Sequence, residues 1–393
     1  MEKNEIESSS SAAENSPAAT GVAQSISEAK TKNSNMLILT AEDILKTYPE
    51  KEAESARKYY EFLKLKEENP TFGYKKLAKM LTVPIHLTRG WKQWNCKPIS
   101  ITAIEKLTQI DLLPLYLDNP KLPAILRLLG ASFTDGGIDK NINTFHFNSA
   151  VKTNINKWKD DFDAVFPFAK ESISYIATGQ YKSSIGARTC DRSVIRLFAA
   201  LGCPVGNKTM VSYTLPTWIF ELTTKLKLAF IDGFFSCEVA MPQCKNRGIN
   251  SWHFVNFSLS MSKIEEKEIE HLEFLKALCM LCENVGLKYT SIKRVPQPTM
   301  KKGNIRRKDG KICDSYRILF SAESENVLLA HKLIPLTYAV EKKQRFDNAV
   351  KTYRQRHSGT TIKTEDCSIN VDAKNYSSED NTEESIEAEA MVL

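Results

Sequence analysis

Few residues of this chain have both the type and the spacing that chemistry requires. Cys279 and Cys282 form a CxxC pair, but a structural zinc site takes four ligands, and the helical context predicts that both thiols pack in the core. The glycines before Lys208 do not have the spacing of a phosphate-binding loop. One carboxylate stands out, because Asp135 ends an apolar, helix-like run and is followed by Gly136. An aspartate in that place can also be a simple turn former.

The run before Asp135 contains a glycine that a helix does not favour. Gly130 costs a helix interior about 1 kcal/mol relative to alanine. A chain accepts such a cost where a second backbone must come close. A similar run, 228–236, follows about a hundred residues later. We therefore predict two helices that cross tightly and bring their C-terminal ends to the centre of the molecule.

Charge is unevenly distributed along the sequence. The whole chain carries a formal charge of +7, whereas residues 41–356 carry +16, because both ends are acidic. A core this basic favours a polyanionic partner, although a lysine-rich surface would give the same composition. No apolar run has the length of a membrane span, and nine scattered cysteines indicate reduced thiols. We therefore expect a cytoplasmic protein with no membrane partner.

Helical patterns dominate residues 37–118 and end with a helix predicted over 99–117. The polar stretch before them, 1–36, predicts disorder. Residues 74–92 resemble a helix-turn-helix, with Thr82 at the turn position where glycine is usual. The outward face of its second helix would present four side chains to a DNA major groove: His86, Arg89, Lys92 and Gln93. We predict a small all-α DNA-binding domain, and the alternative is an ordinary helical hairpin.

The remainder of the chain consists of two similar halves, predicted at 119–210 and 211–356. Each half has the order helix, strand, strand, helix, strand, strand, helix, and the second half is expected to have its first strand near 236–241. A repeat of this length indicates duplicated αβ units rather than a solenoid. We predict an α+β fold with a duplicated αββαββα core. Residues 357–393 are acidic and polar, which predicts a disordered tail.

The two runs, their spacing and the flanking order resemble the LAGLIDADG homing endonucleases in their single-chain, two-repeat form. The resemblance covers residues 121 to about 355. It implies that the motif helices form the interface between the halves, and that curved sheets straddle double-stranded DNA as a monomeric pseudo-dimer. It also implies that the last acid of each motif binds a divalent metal, Mg²⁺, for phosphodiester hydrolysis.

Carried over residue by residue, the resemblance makes Asp135 the catalytic and metal-binding acid of the first motif. The acid of the second motif aligns with Phe234, which has no oxygen for a hard cation. A register shifted by two would place Asp232 there but would break the match on both sides. Lys208 is the candidate for the basic residue with which family enzymes stabilise the transition state. The small packing positions of the motif helices match Gly130, Thr134, Ala229 and Gly233.

A basic loop joins two predicted strands of the second half. Between 301 and 311 the chain has six positive charges and one negative charge. The resemblance implies that such a tip follows DNA phosphates, in which case binding weakens steeply with salt. The alternative is a solvated surface loop. The DNA-binding candidates in this loop are Lys301, Lys302, Arg306, Arg307, Lys308 and Lys311.

These features predict a duplex-DNA-binding protein of the LAGLIDADG family with degenerate catalysis and a regulatory role. The phenylalanine at the second acid position and the added helix-turn-helix favour this function. Two alternatives stay open. One is an active metal-dependent DNA endonuclease or nickase that uses Asp135, and the other is an RNA-splicing maturase.

Overall fold

The computed structural model describes residues 36–178, 183–248, 251–295, 311 and 313–357. The two stretches predicted to be disordered lie outside these residues, except for their inner ends. Most of the basic loop also lies outside them. Of its six basic residues only Lys311 is described.

The N-terminal part of the described chain is mainly helical. Its helices are α1 (Ala41–Leu45), α2 (Glu50–Glu68), α3 (Tyr74–Leu81), α4 (Ile85–Gln93) and α5 (Ile99–Gln109). Two short strands pair antiparallel beside them, β1 (Leu37–Leu39) and β2 (Leu115–Tyr116). The prediction of an all-α domain is therefore wrong. The helix predicted over 99–117 ends early because Asp111 adopts a left-handed φ of 58°, which an α-helix of L-residues does not continue.

The next part of the chain alternates helices with strands. Its helices are α6 (Leu122–Ser132), α7 (Lys152–Val165) and α8 (Arg192–Ala200). Its strands are β3 (Gly136–Ile138), β4 (Phe145–Ser149), β5 (Ser174–Thr178) and β6 (Ser184–Thr189), which form an antiparallel sheet in the order β3-β4-β6-β5. Trp158 of α7 stacks on Phe147 of β4 with ring centres 5.6 Å apart, so the helix covers one face of this sheet.

The last described part also combines helices and antiparallel strands. Its helices are α9 (Thr224–Glu238), α10 (Glu268–Glu283), α11 (Ser324–Leu333) and α12 (Val340–His357). Its strands are β7 (Val239–Ala240), β8 (Gln243–Asn246), β9 (Trp252–Val255), β10 (Ser258–Ile264), β11 (Tyr289–Val295) and β12 (Cys313–Phe320). Four of them form a sheet in the order β11-β12-β10-β7, and β8 pairs with β9 as a separate hairpin. Short 3₁₀ turns lie at Lys170–Ser172, Thr217–Glu221 and Glu265–Lys267.

The two four-stranded sheets have corresponding strand orders. The strands of each sheet are numbered here in chain order, beginning with the strand that directly follows α6 or α9; the β8–β9 hairpin belongs to neither sheet. In both sheets the strands then lie side by side in the order first, second, fourth, third. The predicted mixture of helices and sheets is confirmed, and both four-stranded sheets are antiparallel.

Helices α6 and α9 touch through their backbones at the centre of the molecule. A Cβ atom built on Gly130 would lie 2.1 Å from the carbonyl oxygen of Phe230. A Cβ atom built on Gly233 would lie 2.0 Å from the carbonyl oxygen of Arg127. Both distances are far below van der Waals contact, so each helix needs a glycine where it meets the other. The structure thus places the two glycine-containing helices in the close contact that the sequence predicts.

Helix α9 is longer than the sequence predicts. The first three residues of the strand expected near 236–241 are helical instead, because the helix continues to Glu238 and extended backbone begins at Val239. Phe230, Phe234 and Phe235 are all fully buried, so apolar contacts surround this helix on several sides. Such a helix has no simple periodicity that marks its end. The extension makes Glu238 the last residue of α9.

The N-terminal helices pack on α8. Lys106 of α5 forms an ion pair of 2.9 Å with Asp191, whose carboxylate also caps the N-terminus of α8. The Arg196 guanidinium lies 4.1 Å from the ring centre of Tyr48 and donates a hydrogen bond to the carbonyl of Thr47. These contacts fix the helical part against the first four-stranded sheet unit.

Candidate functional site

Two carboxyl groups meet where α6 and α9 end. Asp135 lies five residues after Gly130, and Glu238 lies five residues after Gly233. The charge of Asp135 acts on Glu238, so both acids lie at the same end of the contact between the helices. The pKa of Glu238 is raised to about 7, first by burial and then by the nearby negative charge of Asp135, while Lys342 and Lys208 oppose the shift. The chain therefore has a pair of acids at its centre.

Asp135 lies in the turn between α6 and β3. Its carbonyl oxygen accepts a hydrogen bond of 3.1 Å from the backbone N–H of Asn148 and one of 3.2 Å from the side-chain amide. Solvent reaches its side chain, yet the surrounding protein removes enough water to raise the pKa of the carboxyl. Lys208 and Lys342 act in the opposite direction through their positive charges. The carboxylate is thus accessible and is held close to two amines.

Lys208 lies beside Asp135, where a basic residue was expected from the sequence. Its amine donates a hydrogen bond of 3.1 Å to the carbonyl of Ser132 and another to the carbonyl of Gly136. Burial lowers the pKa of Lys208, which the charge of Asp135 partly offsets. The amine therefore bonds the last carbonyl of α6, where a positive charge is favourable, and the first carbonyl of β3.

Lys342 is the corresponding residue at the end of α9, and it was not predicted from the sequence. Its amine donates hydrogen bonds of 2.9 Å to the carbonyl of Cys237 and 3.4 Å to that of Phe235. Burial lowers its pKa, as it does for Lys208. An acid therefore lies at or just beyond the end of each central helix, and a lysine from a later segment donates hydrogen bonds to carbonyl groups at that end.

Phe234, which the sequence aligns with the second acid, lies in the aromatic core rather than beside Asp135. Phe234 is fully buried, and its ring centre lies 6.3 Å from that of Phe230 and 6.4 Å from that of Phe274. Glu238 takes the place beside Asp135 instead. Pairing Gly130 with Gly233, rather than with Ala229, places Glu238 opposite Asp135.

Asp232, the acid of the rejected register, has a structural role. It is buried, and it accepts a hydrogen bond of 3.1 Å from the backbone N–H of Thr337 and another from the Thr337 hydroxyl. Nearby, Arg127 forms a two-pronged ion pair with Asp161 at 2.6 and 2.7 Å. Asp232 therefore anchors the loop that leads into α12 and does not face the acid pair.

Replacing Asp232 by alanine should destabilise the fold by about 1–3 kcal/mol, because the N–H and hydroxyl of Thr337 would lose their acceptor in a buried place. Urea unfolding followed by circular dichroism measures this change. Asp160→Ala, at an exposed residue paired loosely with Lys157 at 3.4 Å, is the matched control and should be nearly neutral. Equal midpoints for both variants would contradict the anchoring role.

Two clefts flank the acid pair. One of about 470 Å³ adjoins Lys208 and is lined by Asp139 and His146 among others. Burial and the positive charge of Lys208 lower the pKa of His146 to about 4. The other cleft, of about 420 Å³, adjoins Lys342 and is lined by residues of β7, β8 and α12. Within the described ranges, no group of three or more His, Cys, Asp or Glu residues is arranged to hold a metal ion.

The packing residues chosen from the sequence differ in their surroundings. Thr134 is buried and its hydroxyl donates a hydrogen bond of 2.9 Å to the carbonyl of Ala131. Ala229 is only half-buried, so it contributes less to the helix contact than the two glycines. Lys311, the described residue of the basic loop, forms an ion pair of 3.5 Å with Glu266. The other loop candidates, Lys301, Lys302, Arg306, Arg307 and Lys308, lie outside the described residues.

The predicted outward face of α4 is present except at one position. His86, Arg89 and Gln93 are exposed. Lys92 is half-buried and donates a hydrogen bond to the carbonyl of Phe72, so the expectation that it points outward is wrong. Between α3 and α4, Thr82 adopts a left-handed φ of 54°, and this conformation is the reason that glycine is usual at such a turn.

No family model matches the chain. Four curated proteins that it resembles are tRNA-splicing ligases RtcB. The ligase of Methanopyrus kandleri is 26% identical over 278 residues, which is 66% of this chain and 27% of the ligase. That of Pyrococcus abyssi is 28% identical over 192 residues, 47% of this chain and 20% of the ligase. The chain therefore spans about a fifth to a quarter of the length of these ligases.

Other matches cover less of the known protein or are weaker. A segment is 30% identical over 119 residues to the DNA-directed RNA polymerase subunit Rpo1N of Methanocaldococcus jannaschii, which is 8% of that subunit. Among solved structures, the chain resembles the homing endonuclease I-DmoI in complex with DNA and Mn, at 13% identity and a TM-score of 0.33. The match covers 55% of this chain and 97% of that one. A similarity this weak indicates only a partial resemblance of fold and is no evidence of a shared function.

These comparisons overturn the functional prediction. From the sequence we expected a regulatory duplex-DNA-binding protein of the LAGLIDADG family, with a DNA endonuclease and a maturase as alternatives. The four curated relatives are tRNA-splicing ligases instead, so that prediction is wrong. None of the helices in the described part of the chain combines the length and apolar character of a membrane span.

Proposed function

We propose that this chain is an RNA-binding module that holds a phosphodiester of RNA beside Asp135 and Glu238, at the ends of α6 and α9. The observation that carries the proposal is the convergence of Asp135 and Glu238 with the amines of Lys208 and Lys342. The tRNA-splicing ligases among the relatives favour RNA as the partner. The match covers a fraction of each ligase, and a segment of the chain also matches part of a polymerase subunit, so a module is proposed rather than a complete ligase.

Mg²⁺ is the proposed cofactor at the acid pair. This ion prefers oxygen ligands and is commonly held by one or two carboxylates together with phosphate oxygens. Asp135 and Glu238 offer that kind of donor set. When bound, the ion would neutralise charge on the phosphate oxygens. Lys208 and Lys342 donate hydrogen bonds at the two helix ends, and their charges keep a positive potential beside the acid pair.

Two further proposals concern the domain organisation of the chain. We propose that 119–210 and 211–356 are copies of one αββαββα unit, and that the chain is a monomeric pseudo-dimer. Their shared strand order and the reciprocal glycine contacts of α6 and α9 favour this origin. We also propose that α3 and α4 form a helix-turn-helix that contributes to nucleic-acid binding. The left-handed turn at Thr82 supports that assignment.

The RNA proposal predicts that the full chain binds a labelled tRNA transcript about tenfold more tightly than duplex DNA of equal length. Replacing Lys208 and Lys342 by methionine together should weaken tRNA binding by about tenfold and reduce the salt slope by about one. Fluorescence anisotropy over a salt series measures both effects. The matched control replaces two exposed lysines, Lys157 and Lys170, and should bind as the original chain does.

Two results would count against the proposal. One is equal affinity for tRNA and duplex DNA. The other is unchanged tRNA binding by the Lys208 and Lys342 double variant, provided that its urea midpoint shows a folded chain.

A further inference from the structure

An aromatic ring lies open to solvent at the end of α4. Trp94 is 61% exposed, the largest exposed fraction of any aromatic side chain among the described residues. A single surface tryptophan is ordinary, but this one is not isolated. The Arg89 guanidinium lies 5.1 Å from its ring centre and 5.9 Å from that of Tyr74. One face of Trp94 is therefore backed by a cation, and the ring remains accessible.

Arg89 is held in this arrangement. Its Nε atom donates a hydrogen bond of 2.9 Å to the side-chain oxygen of Gln93, one turn later on the same helix. The cation–π contacts with two rings restrict the guanidinium further. The backbone N–H of Trp94 donates to the carbonyl of Gly90, which fixes the end of α4. The exposed ring is thus presented from a defined position.

The segment of the chain that contains Trp94 is strongly basic. No Asp or Glu occurs between 69 and 104, whereas six Lys or Arg residues do. Among the described residues, Lys97 is the member of this set that forms an ion pair, with Glu105 at 2.8 Å. The remaining cations are Lys75, Lys76, Lys79, Arg89 and Lys92. A protein partner usually meets a surface whose centre is depleted of charge, so this composition favours a polyanion.

We propose that Trp94 is a stacking site for an unpaired base of single-stranded RNA, with Arg89 and the neighbouring lysines along the phosphate backbone. Unpaired bases stack on aromatic and guanidinium planes, and a positive groove follows their phosphates. The bases of a duplex are already stacked and cannot reach the ring. This inference rests on the proposed RNA function and adds a second contact, remote in sequence from the acid pair.

The test compares a short labelled oligoadenylate with an abasic oligomer that has the same number of phosphates. Trp94→Ala in the full chain should weaken binding of the oligoadenylate by about tenfold and leave the abasic oligomer unaffected. Trp94→Phe should retain most of the affinity, because it keeps an aromatic face. Tyr175→Ala is the matched control, since Tyr175 is 51% exposed on β5, and it should change neither affinity.

The outcomes separate this inference from the proposed function. Equal weakening for base-bearing and abasic oligomers, or no weakening for either, would overturn the stacking site. An equal loss on duplex RNA would also overturn it. If the loss is confined to base-bearing single strands and is as large on deoxyadenylate, the stacking role stands, whereas the assignment of the ligand as RNA fails.

Discussion

Replacing Gly130 by alanine is expected to destabilise the fold by roughly 3 kcal/mol or more, which is the upper range for overpacking. The new methyl carbon would lie 2.1 Å from the carbonyl oxygen of Phe230 and 2.9 Å from the backbone nitrogen of Phe234. Backbone atoms cannot move aside as a flexible side chain can. The two helices must therefore separate, and the tightly packed interior around them loses contacts. Gly233→Ala should behave in the same way because it would meet the backbone of Arg127 at 2.0 Å.

Gly90→Ala is a matched control for Gly130→Ala because both glycines lie inside helices. At Gly90 the nearest atom to a new Cβ is the Cβ of Cys96 at 3.6 Å, an ordinary contact. Alanine favours a helix over glycine by about 1 kcal/mol, so this variant should be neutral or more stable. Urea unfolding followed by circular dichroism compares the variants. A Gly130→Ala free energy of unfolding within about 1 kcal/mol of the original would show that the backbones are not in contact.

The helix contact was predictable from sequence because a glycine within an apolar helix is unfavourable unless a second backbone comes close to it. Sequence matching pairs Gly130 with Ala229, which places Phe234 opposite Asp135 and leaves Glu238 unmatched. The unbroken burial of 230–236 gives no local sign of where α9 ends. Only the tertiary contact shows that Gly233 is the counterpart of Gly130, and that relation makes Glu238 the counterpart of Asp135.

The lysines of the site illustrate a second limit. Lys208 was a candidate because it lies shortly before the second motif helix. Lys342 lies about a hundred residues after Glu238, at the start of a helix whose place in the fold has no local signature. Lys92 shows the opposite error, since helical spacing places it on an outer face while its amine reaches back to Phe72. Spacing along one helix does not show which long side chains fold back onto a neighbouring loop.

Glu238→Gln is expected to stabilise the metal-free chain at pH 8 by about 1 kcal/mol and to abolish its stabilisation by Mg²⁺. The pKa of Glu238 is raised from 4.5 to about 7 by burial and by Asp135, against the opposing charges of Lys342 and Lys208. Between these values the folded chain holds a proton that the unfolded chain releases. The contribution of Glu238 to stability therefore falls as pH rises through this window. Glutamine stays neutral and does not incur that loss.

Metal binding should have the opposite pH dependence. The carboxyl of Glu238 must lose its proton before it can serve as a ligand, so Mg²⁺ should stabilise the original chain at pH 8 and much less at pH 5. Urea unfolding at both pH values, with and without Mg²⁺, measures the two effects on one sample. Glu221→Gln, at an exposed acid, is the control and should resemble the original chain in all four conditions.

The four conditions distinguish a functional acid from a merely buried one. If Glu238 were only a packing residue, glutamine would change stability without altering the response to Mg²⁺. If Glu238 were remote from Asp135, Asp135→Asn would leave the pKa of Glu238 unchanged, whereas proximity requires that this pKa move toward lower pH when the neighbouring charge is removed. The ¹³C chemical shift of the Glu238 carboxyl measures that pKa separately from the titration of Asp135 itself. Three results together would identify a carboxylate pair that lowers the free energy of unfolding. These are the gain of stability at pH 8 and the loss of the Mg²⁺ response in Glu238→Gln, and the shift to lower pH in Asp135→Asn.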